Sequence, residues 1–182
     1  MKTKSRNNTQ TTQGGESPPE RRKKMYFTNI ESIEDLKQQY KKLAMDNHPD
    51  KGGNTETMQA INNEYQELFE KVKDIRRNKE GKTYQRATTE TYKEYMEVIE
   101  KLIKMNGITI EIIGSFVWVS GNTKEYKNEL KAIKFKWNGT KKSWYLAPDG
   151  WHKKSKKVYS MDDVRTMFGS QEVETGQKRL GA

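Results

Sequence analysis

Residues 41–53 read KKLAMDNHPDKGG and join two stretches in which apolar residues recur at helical spacing. The upstream apolar residues are Ile33, Leu36, Tyr40, Leu43 and Ala44. The downstream ones are Met58, Ile61, Tyr65, Leu68, Phe69 and Val72. Such spacing predicts two amphipathic helices. Pro49 biases the residues before it away from helix and Gly52-Gly53 permits a sharp reversal, so we expect an antiparallel helical hairpin.

The ends of both helices carry capping signals. Ser32 can cap the first helix, with Asp35 as its reciprocal partner, and Asn54 or Thr55 can cap the second. The lysines of the first helix are predicted to lie mainly away from its apolar stripe.

Together, the His48-Pro49-Asp50 loop and its two flanking helices resemble the J-domain, the module by which DnaJ-type co-chaperones engage DnaK-type ATPase chaperones. The resemblance covers roughly residues 26–75. The short first helix of that family is expected to be lost or reduced, because Met25-Tyr26-Phe27 leads almost directly into the capped helix. The family's usual fourth helix is also missing as a motif.

The resemblance implies a catalytic effect on a partner and no catalysis by this chain. His48, Pro49 and Asp50 correspond to the family's essential triad, which docks on the chaperone's ATPase domain and accelerates ATP hydrolysis. The resemblance also implies a basic contact surface made of Lys37, Lys41, Lys42 and Lys51. The alternative for each of these lysines is an ordinary solvated helix face.

The amino-acid composition limits the classes of function that we expect for this protein. Of 182 residues, 31% are hydrophobic and 33% are charged, which indicates one or two small domains. Without cysteine, no disulfide or thiolate metal site can form. We expect no catalytic residue, no metal site, no cofactor and no enzyme activity. No apolar run reaches membrane-spanning length and the N-terminus has no secretory apolar region, so a cytoplasmic location without membrane contact is expected.

Positive charge is concentrated at the two ends of the chain. Residues 1–25 carry +5, residues 26–106 carry −1 and residues 107–182 carry +6, which together give the net charge of +10. Residues 1–25 are polar and poor in apolar side chains, so they are predicted to be a disordered basic tail. The run Arg21-Arg22-Lys23-Lys24 is either solubilising or a contact for an anionic partner.

The periodicity predicts three further segments after a J-domain-like hairpin at residues 26–79. Residues 80–106 are predicted to be a linker and an amphipathic helix, with the helix's apolar face made of Tyr92, Tyr95, Met96, Ile99, Leu102 and Ile103. Residues 107–169 alternate like strands and predict a small ββαββ module with a final helix capped by Ser160. Residues 170–182 are predicted to be a flexible tail. The predicted fold class is therefore α+β.

The C-terminal module carries a second resemblance. Lys131, Lys134 and Trp137, followed by Lys142-Ser143-Trp144-Tyr145, resemble a small Trp-rich domain of bacterial and phage mobile-element proteins. Lys134 stands where that domain usually has glycine. The resemblance implies little mechanism, and we expect only that the two tryptophans help to define the fold.

Two functions from different classes follow. The first is a co-chaperone whose C-terminal module acts as a client or location adaptor. The alternative is a nucleic-acid-binding accessory protein of a phage or mobile element, since lysines can contact phosphates and aromatic rings can stack on bases. The candidate nucleic-acid-binding residues are Lys141, Lys142, Trp151, Lys153, Lys154, Lys156 and Lys157.

Overall fold

The computed structural model describes residues 24–153 and 157–175. Within them the fold is α+β, as predicted, with five α-helices and two antiparallel sheets. The helices are α1 (Ile33–Asn47), α2 (Thr55–Val72), α3 (Tyr92–Ile103), α4 (Lys127–Ala132) and α5 (Met161–Phe168). The strands are β1 (Ile75–Arg77), β2 (Thr83–Gln85), β3 (Ile108–Ile113), β4 (Phe116–Gly121), β5 (Lys136–Asn138), β6 (Ser143–Leu146) and β7 (Ser170–Glu174).

The helical hairpin forms from α1 and α2, and its caps are those predicted. Ser32 and Asp35 make a reciprocal capping box on α1, and the Asn54 side chain accepts a hydrogen bond from the Thr57 backbone. Tyr40 of α1 lies beside Asn62 and Tyr65 of α2, so the second helix runs back along the first. The described residues before α1, which are 24–32, form no helix.

Aromatic rings connect this hairpin to α3. The Tyr65 ring lies 4.2 Å from that of Tyr40 and 6.1 Å from that of Tyr95, centroid to centroid. Burial raises the pKa of Tyr65 and Tyr95 well above the ordinary value, so both hydroxyls stay neutral. The same continuous core extends into the sheet through Ile110 and Val119, so hairpin, α3 and sheet share one hydrophobic interior.

The larger sheet has the strand order β5-β6-β4-β3-β7, with every neighbouring pair antiparallel. Its register places alternate residues of the central strands on one face, where they join the core. The residues of this inner face are Ile108, Ile110, Ile112, Val117, Val119 and Trp144. The predicted ββαββ order is confirmed, with α4 between β4 and β5.

Two of the predicted segment boundaries are wrong. Residues 170–174 were expected in a flexible tail, but they form β7, which pairs with β3 at the sheet edge. Residues 83–85 were expected in a linker, but they form β2, which pairs with β1 across the predicted boundary at residue 79. The predicted tails at residues 1–23 and 176–182 lie outside the described residues. None of the described helices combines the length and apolar character needed to cross a lipid bilayer.

Candidate partner-docking surface

The connection between α1 and α2 is a tight, hydrogen-bonded loop. Asn47 ends α1, and His48 adopts an extended backbone before the single turn of 3₁₀ helix at Pro49–Lys51. The His48 carbonyl accepts hydrogen bonds from the backbone N–H groups of Lys51 and Gly53, each at 2.9 Å. Backbone groups within six residues therefore fix the loop's shape.

The imidazole of His48 helps to hold this loop. Its Nδ1 accepts a hydrogen bond of 3.1 Å from the Asp50 backbone N–H, and the side chain is 10% exposed. The Asp50 carboxylate oxygen Oδ2 lies 3.9 Å from the same nitrogen. Pro49 and Asp50 face solvent, which leaves a carboxylate and a proline ring at the tip of the hairpin.

Gly53 lets the loop close against the end of α1. A Cβ atom at this position would lie 2.1 Å from the carbonyl carbon and oxygen of Asn47, which is too close for any side chain. Gly52 has a different requirement, a φ of +82° with open space around it. Glycine is therefore needed at position 53 for close packing and at position 52 for the backbone conformation.

The predicted basic surface is wrong for Lys37 and Lys41, because both side chains are buried. Lys37 Nζ lies 2.5 Å from Glu90 Oε2 and 5.0 Å from the centre of the Tyr95 ring. Lys41 is 0% exposed, and its Nζ donates a hydrogen bond of 3.2 Å to the backbone carbonyl of Ile110 in β3. The helix face that carries these lysines is covered by the sheet and by the segment before α3.

Glu34 belongs to the same buried face, since positions 34, 37 and 41 lie along one side of a helix. Its Oε1 accepts a hydrogen bond of 2.5 Å from the Ser115 hydroxyl and lies 3.7 Å from Arg76 Nη1. Its Oε2 accepts a hydrogen bond of 3.1 Å from the Arg77 backbone N–H. We call Glu34, Lys37 and Lys41 the buried polar face of α1.

Glu90, in the segment before α3, is the acidic partner of Lys37. Burial by itself would raise the pKa of its carboxyl, but attraction to Lys37 and hydrogen bonds from Lys37 Nζ and the Asp149 backbone N–H lower it below the ordinary value. Glu90 is therefore ionised at neutral pH, and the Lys37–Glu90 contact is an ion pair.

The other two predicted basic residues, Lys42 and Lys51, are not fully buried. Lys42 is exposed on α1. Lys51 is half-buried, and its Nζ donates a hydrogen bond of 3.3 Å to Asn106 Oδ1 in the turn between α3 and β3. The Asn106 backbone N–H in turn donates a hydrogen bond of 3.0 Å to the Tyr126 hydroxyl. Nothing in the sequence spacing indicated that this turn would reach the loop.

The turn between α3 and β3 is anchored on both sides. Met105 is buried in the core, and the Gly107 backbone N–H donates a hydrogen bond of 3.1 Å to the Thr175 carbonyl. Thr175 also accepts a hydrogen bond from the Ile108 N–H and returns one to the Ile108 carbonyl through its hydroxyl. The residue after β7 thus fixes the turn that contacts Lys51.

The candidate nucleic-acid-binding residues are not equivalent. Lys142, Lys153 and Lys157 are exposed, as is 41% of Trp151, whose ring meets Phe116 edge-on at 5.1 Å. Lys154 and Lys156 lie outside the described residues.

Lys141 turns inward. Its Nζ donates a hydrogen bond of 2.7 Å to the Tyr159 carbonyl and lies 5.5 Å from the centre of the Trp118 ring, and burial lowers its pKa. This lysine serves to hold the segment before α5 against the sheet.

The two tryptophans of the second resemblance also differ. Trp144 is buried in the core, whereas 50% of Trp137 is exposed and its ring packs edge-on against Trp144 at 5.6 Å. Lys134 has a φ of +67°, a backbone conformation that favours glycine.

A cleft of about 300 Å³ lies beside the Lys37–Glu90 pair, with Tyr95, Val98 and Leu146 in its apolar lining. Among residues 24–153 and 157–175, no group of His, Asp and Glu side chains is arranged to hold a metal ion. Comparison of this chain with protein-family models, curated proteins and solved structures finds no match.

Proposed function

We propose that this protein is a J-domain-type co-chaperone. In this proposal the His48-Pro49-Asp50 loop docks on a DnaK-type ATPase chaperone and stimulates its ATP hydrolysis, while the C-terminal sheet acts as a client or location adaptor. The reaction takes place in the partner, so this chain supplies contacts and no reacting group. The observation that carries the proposal is a pre-formed loop whose Pro49 ring and Asp50 carboxylate face solvent at the tip of the hairpin.

The loop's internal hydrogen bonds support a docking role. Because His48 already accepts the Asp50 N–H and its carbonyl holds Lys51 and Gly53, little conformational freedom is lost when a partner binds. Pre-organisation of this kind favours affinity. It also accounts for the burial of His48, which acts chiefly by positioning Asp50.

The structure narrows the basic part of the proposed contact surface. Lys37 and Lys41 are buried, so they are removed from the surface that a partner could touch. Lys42 is exposed on α1, and Lys51 is half-buried within the loop. Electrostatic steering of docking should therefore depend on these two lysines, and on any other cations that the fold brings to the loop.

Single-turnover ATP hydrolysis by a purified DnaK-type chaperone tests this proposal. His48→Gln should abolish stimulation, because it removes the imidazole that holds the Asp50 N–H, and it should leave the fold intact, because His48 lies in a loop outside both apolar stripes. The matched control is His152→Gln, which changes the chain's other histidine at an exposed position. Equal stimulation by wild type and His48→Gln, or its absence in wild type, would contradict the proposal.

A second function is favoured by one observation, the exposed Trp151 ring near the exposed Lys153. An exposed aromatic ring beside lysines can stack on a base while the lysines contact phosphates. The inward orientation of Lys141 and the burial of Trp144 leave a smaller surface than the sequence indicated.

Fluorescence anisotropy with labelled single- and double-stranded DNA tests this second function. Wild-type binding that falls steeply with salt and is lost in Trp151→Ala would support it. Trp137→Ala is the matched control, because it removes another exposed tryptophan from a different part of the sheet. Equal weakening by both substitutions, or no binding by wild type, would remove this function.

A further inference from the structure

The loop at residues 48–53 has a structural neighbour from another part of the chain. Lys51 Nζ contacts Asn106 Oδ1, and Lys104, two residues before Asn106, is close enough to Asp50 for their charges to interact. The turn between α3 and β3 therefore lies directly beside the tip of the hairpin. This places Lys104 where an exposed cation can contact whatever binds the loop.

The turn is rigid enough to form part of a binding surface. Met105 anchors it in the core, and Gly107 and Ile108 are hydrogen-bonded to Thr175 after β7. The Tyr126 hydroxyl accepts the Asn106 N–H from the other side. A surface held on both flanks keeps its geometry before binding, which lowers the entropic cost of association.

This surface carries charges of both signs. Lys51 and Lys104 are its cations, and Asp50 and Glu100 are its anions. The side chain of Lys104 is 52% exposed and lies 3.0 Å from Glu100, four residues earlier on α3. Exposed pairs of this kind contribute little to stability, so a partner's carboxylate can replace Glu100 at little cost.

We infer that the docking surface is composite, with the turn between α3 and β3 replacing the buried polar face of α1 as its second half. This inference rests on the proposed co-chaperone function. The surface fits a chaperone face that presents a cation to Asp50 and carboxylates to Lys51 and Lys104. Lys104 is a contact residue of this surface, and Asn106 is a positioning residue that acts through Lys51.

Charge reversal at Lys104 tests the inference in the same single-turnover assay. Lys104→Glu should raise the co-chaperone concentration that gives half-maximal stimulation by roughly fivefold to tenfold, with less dependence on salt, because steering and one contact are lost. Maximal stimulation at saturation should change little. Asn106→Ala should raise the same concentration by a smaller factor.

Lys79→Glu is the matched control, because Lys79 is also an exposed lysine paired with one glutamate, in the turn between β1 and β2. It should behave as wild type. If His48→Gln abolishes stimulation but Lys104→Glu matches Lys79→Glu, the composite surface is wrong and the co-chaperone function stands. If His48→Gln stimulates like wild type, both proposals fail. Circular dichroism of each variant, with Lys104→Gln as a neutral second substitution, separates lost contact from lost fold.

Discussion

The loop at residues 48–53 and the buried polar face of α1 belong to the same helical hairpin, yet different parts of the chain fix them. The loop is fixed by its own backbone, through hydrogen bonds between residues at most five positions apart. The buried polar face is fixed by Ser115, Glu90 and Ile110, which lie 81, 53 and 69 positions from their partners on α1. Local sequence is therefore a good guide to the first region and a poor guide to the second.

The largest expected effect is a difference in stability between glutamate variants of two adjacent lysines of α1, Lys41 and Lys42. Lys41→Glu should lower the free energy of unfolding by about 3–5 kcal/mol, because it places a carboxylate in a dry site against the Ile110 carbonyl. Lys42→Glu should change it by no more than about 0.5 kcal/mol, because that side chain is exposed. Urea unfolding followed by circular dichroism measures both.

Lys41→Met separates charge from packing at this site. It keeps a long apolar stem and loses the hydrogen bond, so we expect a loss of about 1 kcal/mol. Equal stabilities for the two glutamate variants would show that α1 presents both lysines to solvent, and the contrast between the two regions would disappear.

The second prediction applies to the loop. Gly53→Ala should destabilise the protein by about 1–3 kcal/mol and weaken chaperone stimulation, because its Cβ would press on the Asn47 backbone. In Gly52→Ala the added Cβ meets no neighbouring atom. The variant should lose only about 1 kcal/mol of stability, because alanine disfavours the positive φ at this position. Thermal unfolding of both variants checks the order, and a Gly53→Ala protein as stable as wild type would refute the tight closure of the loop.

The third prediction concerns how acid affects the Lys37–Glu90 ion pair. The pKa of Glu90 is lower in the folded protein than in the unfolded chain, so its ionised form contributes stability that is complete above the ordinary carboxyl pKa. That contribution is lost as pH falls through the lowered, folded-state value. Glu90→Gln should cost about 1–2 kcal/mol at neutral pH and flatten the decline of stability with acid.

Urea unfolding over a series of pH values measures this difference. Glu97→Gln on the exposed side of α3 is the control and should keep the wild-type slope. A Glu90→Gln profile that parallels wild type would mean that the Lys37–Glu90 pair is open to solvent, as the sequence had suggested for Lys37.

The parts of the fold that follow from local signals were predictable from the sequence. The caps at Ser32, Asn54 and Ser160, the end of α1 before Pro49, and the alternation in β3 and β4 all appear where expected. Each depends on side chains within a few residues or on a clear apolar period, which is the information that a single sequence carries.

The features that were predicted wrongly depend on contacts with residues far away in the sequence. The strand β1 has Ile75 as its sole apolar residue, and its pairing is supported by contacts of Arg76 and Arg77 with α1. The strand β7 forms because β3 has a free edge beside it, not because of its own composition. Lys37 and Lys41 were predicted to be on the surface from the resemblance and from their position away from the apolar stripe of α1. The partners that bury them lie more than fifty positions away in the sequence.

The buried polar face of α1 also bears on how the protein is made. The helix α1, which ends at Asn47, leaves the ribosome well before the Glu90 segment and β3 that cover this face. During that interval Glu34, Lys37 and Lys41 are hydrated, and the nascent hairpin presents charges where an apolar stripe would invite aggregation. Side chains that are costly to dehydrate in the finished protein therefore keep the partly synthesised chain soluble until the sheet closes over them.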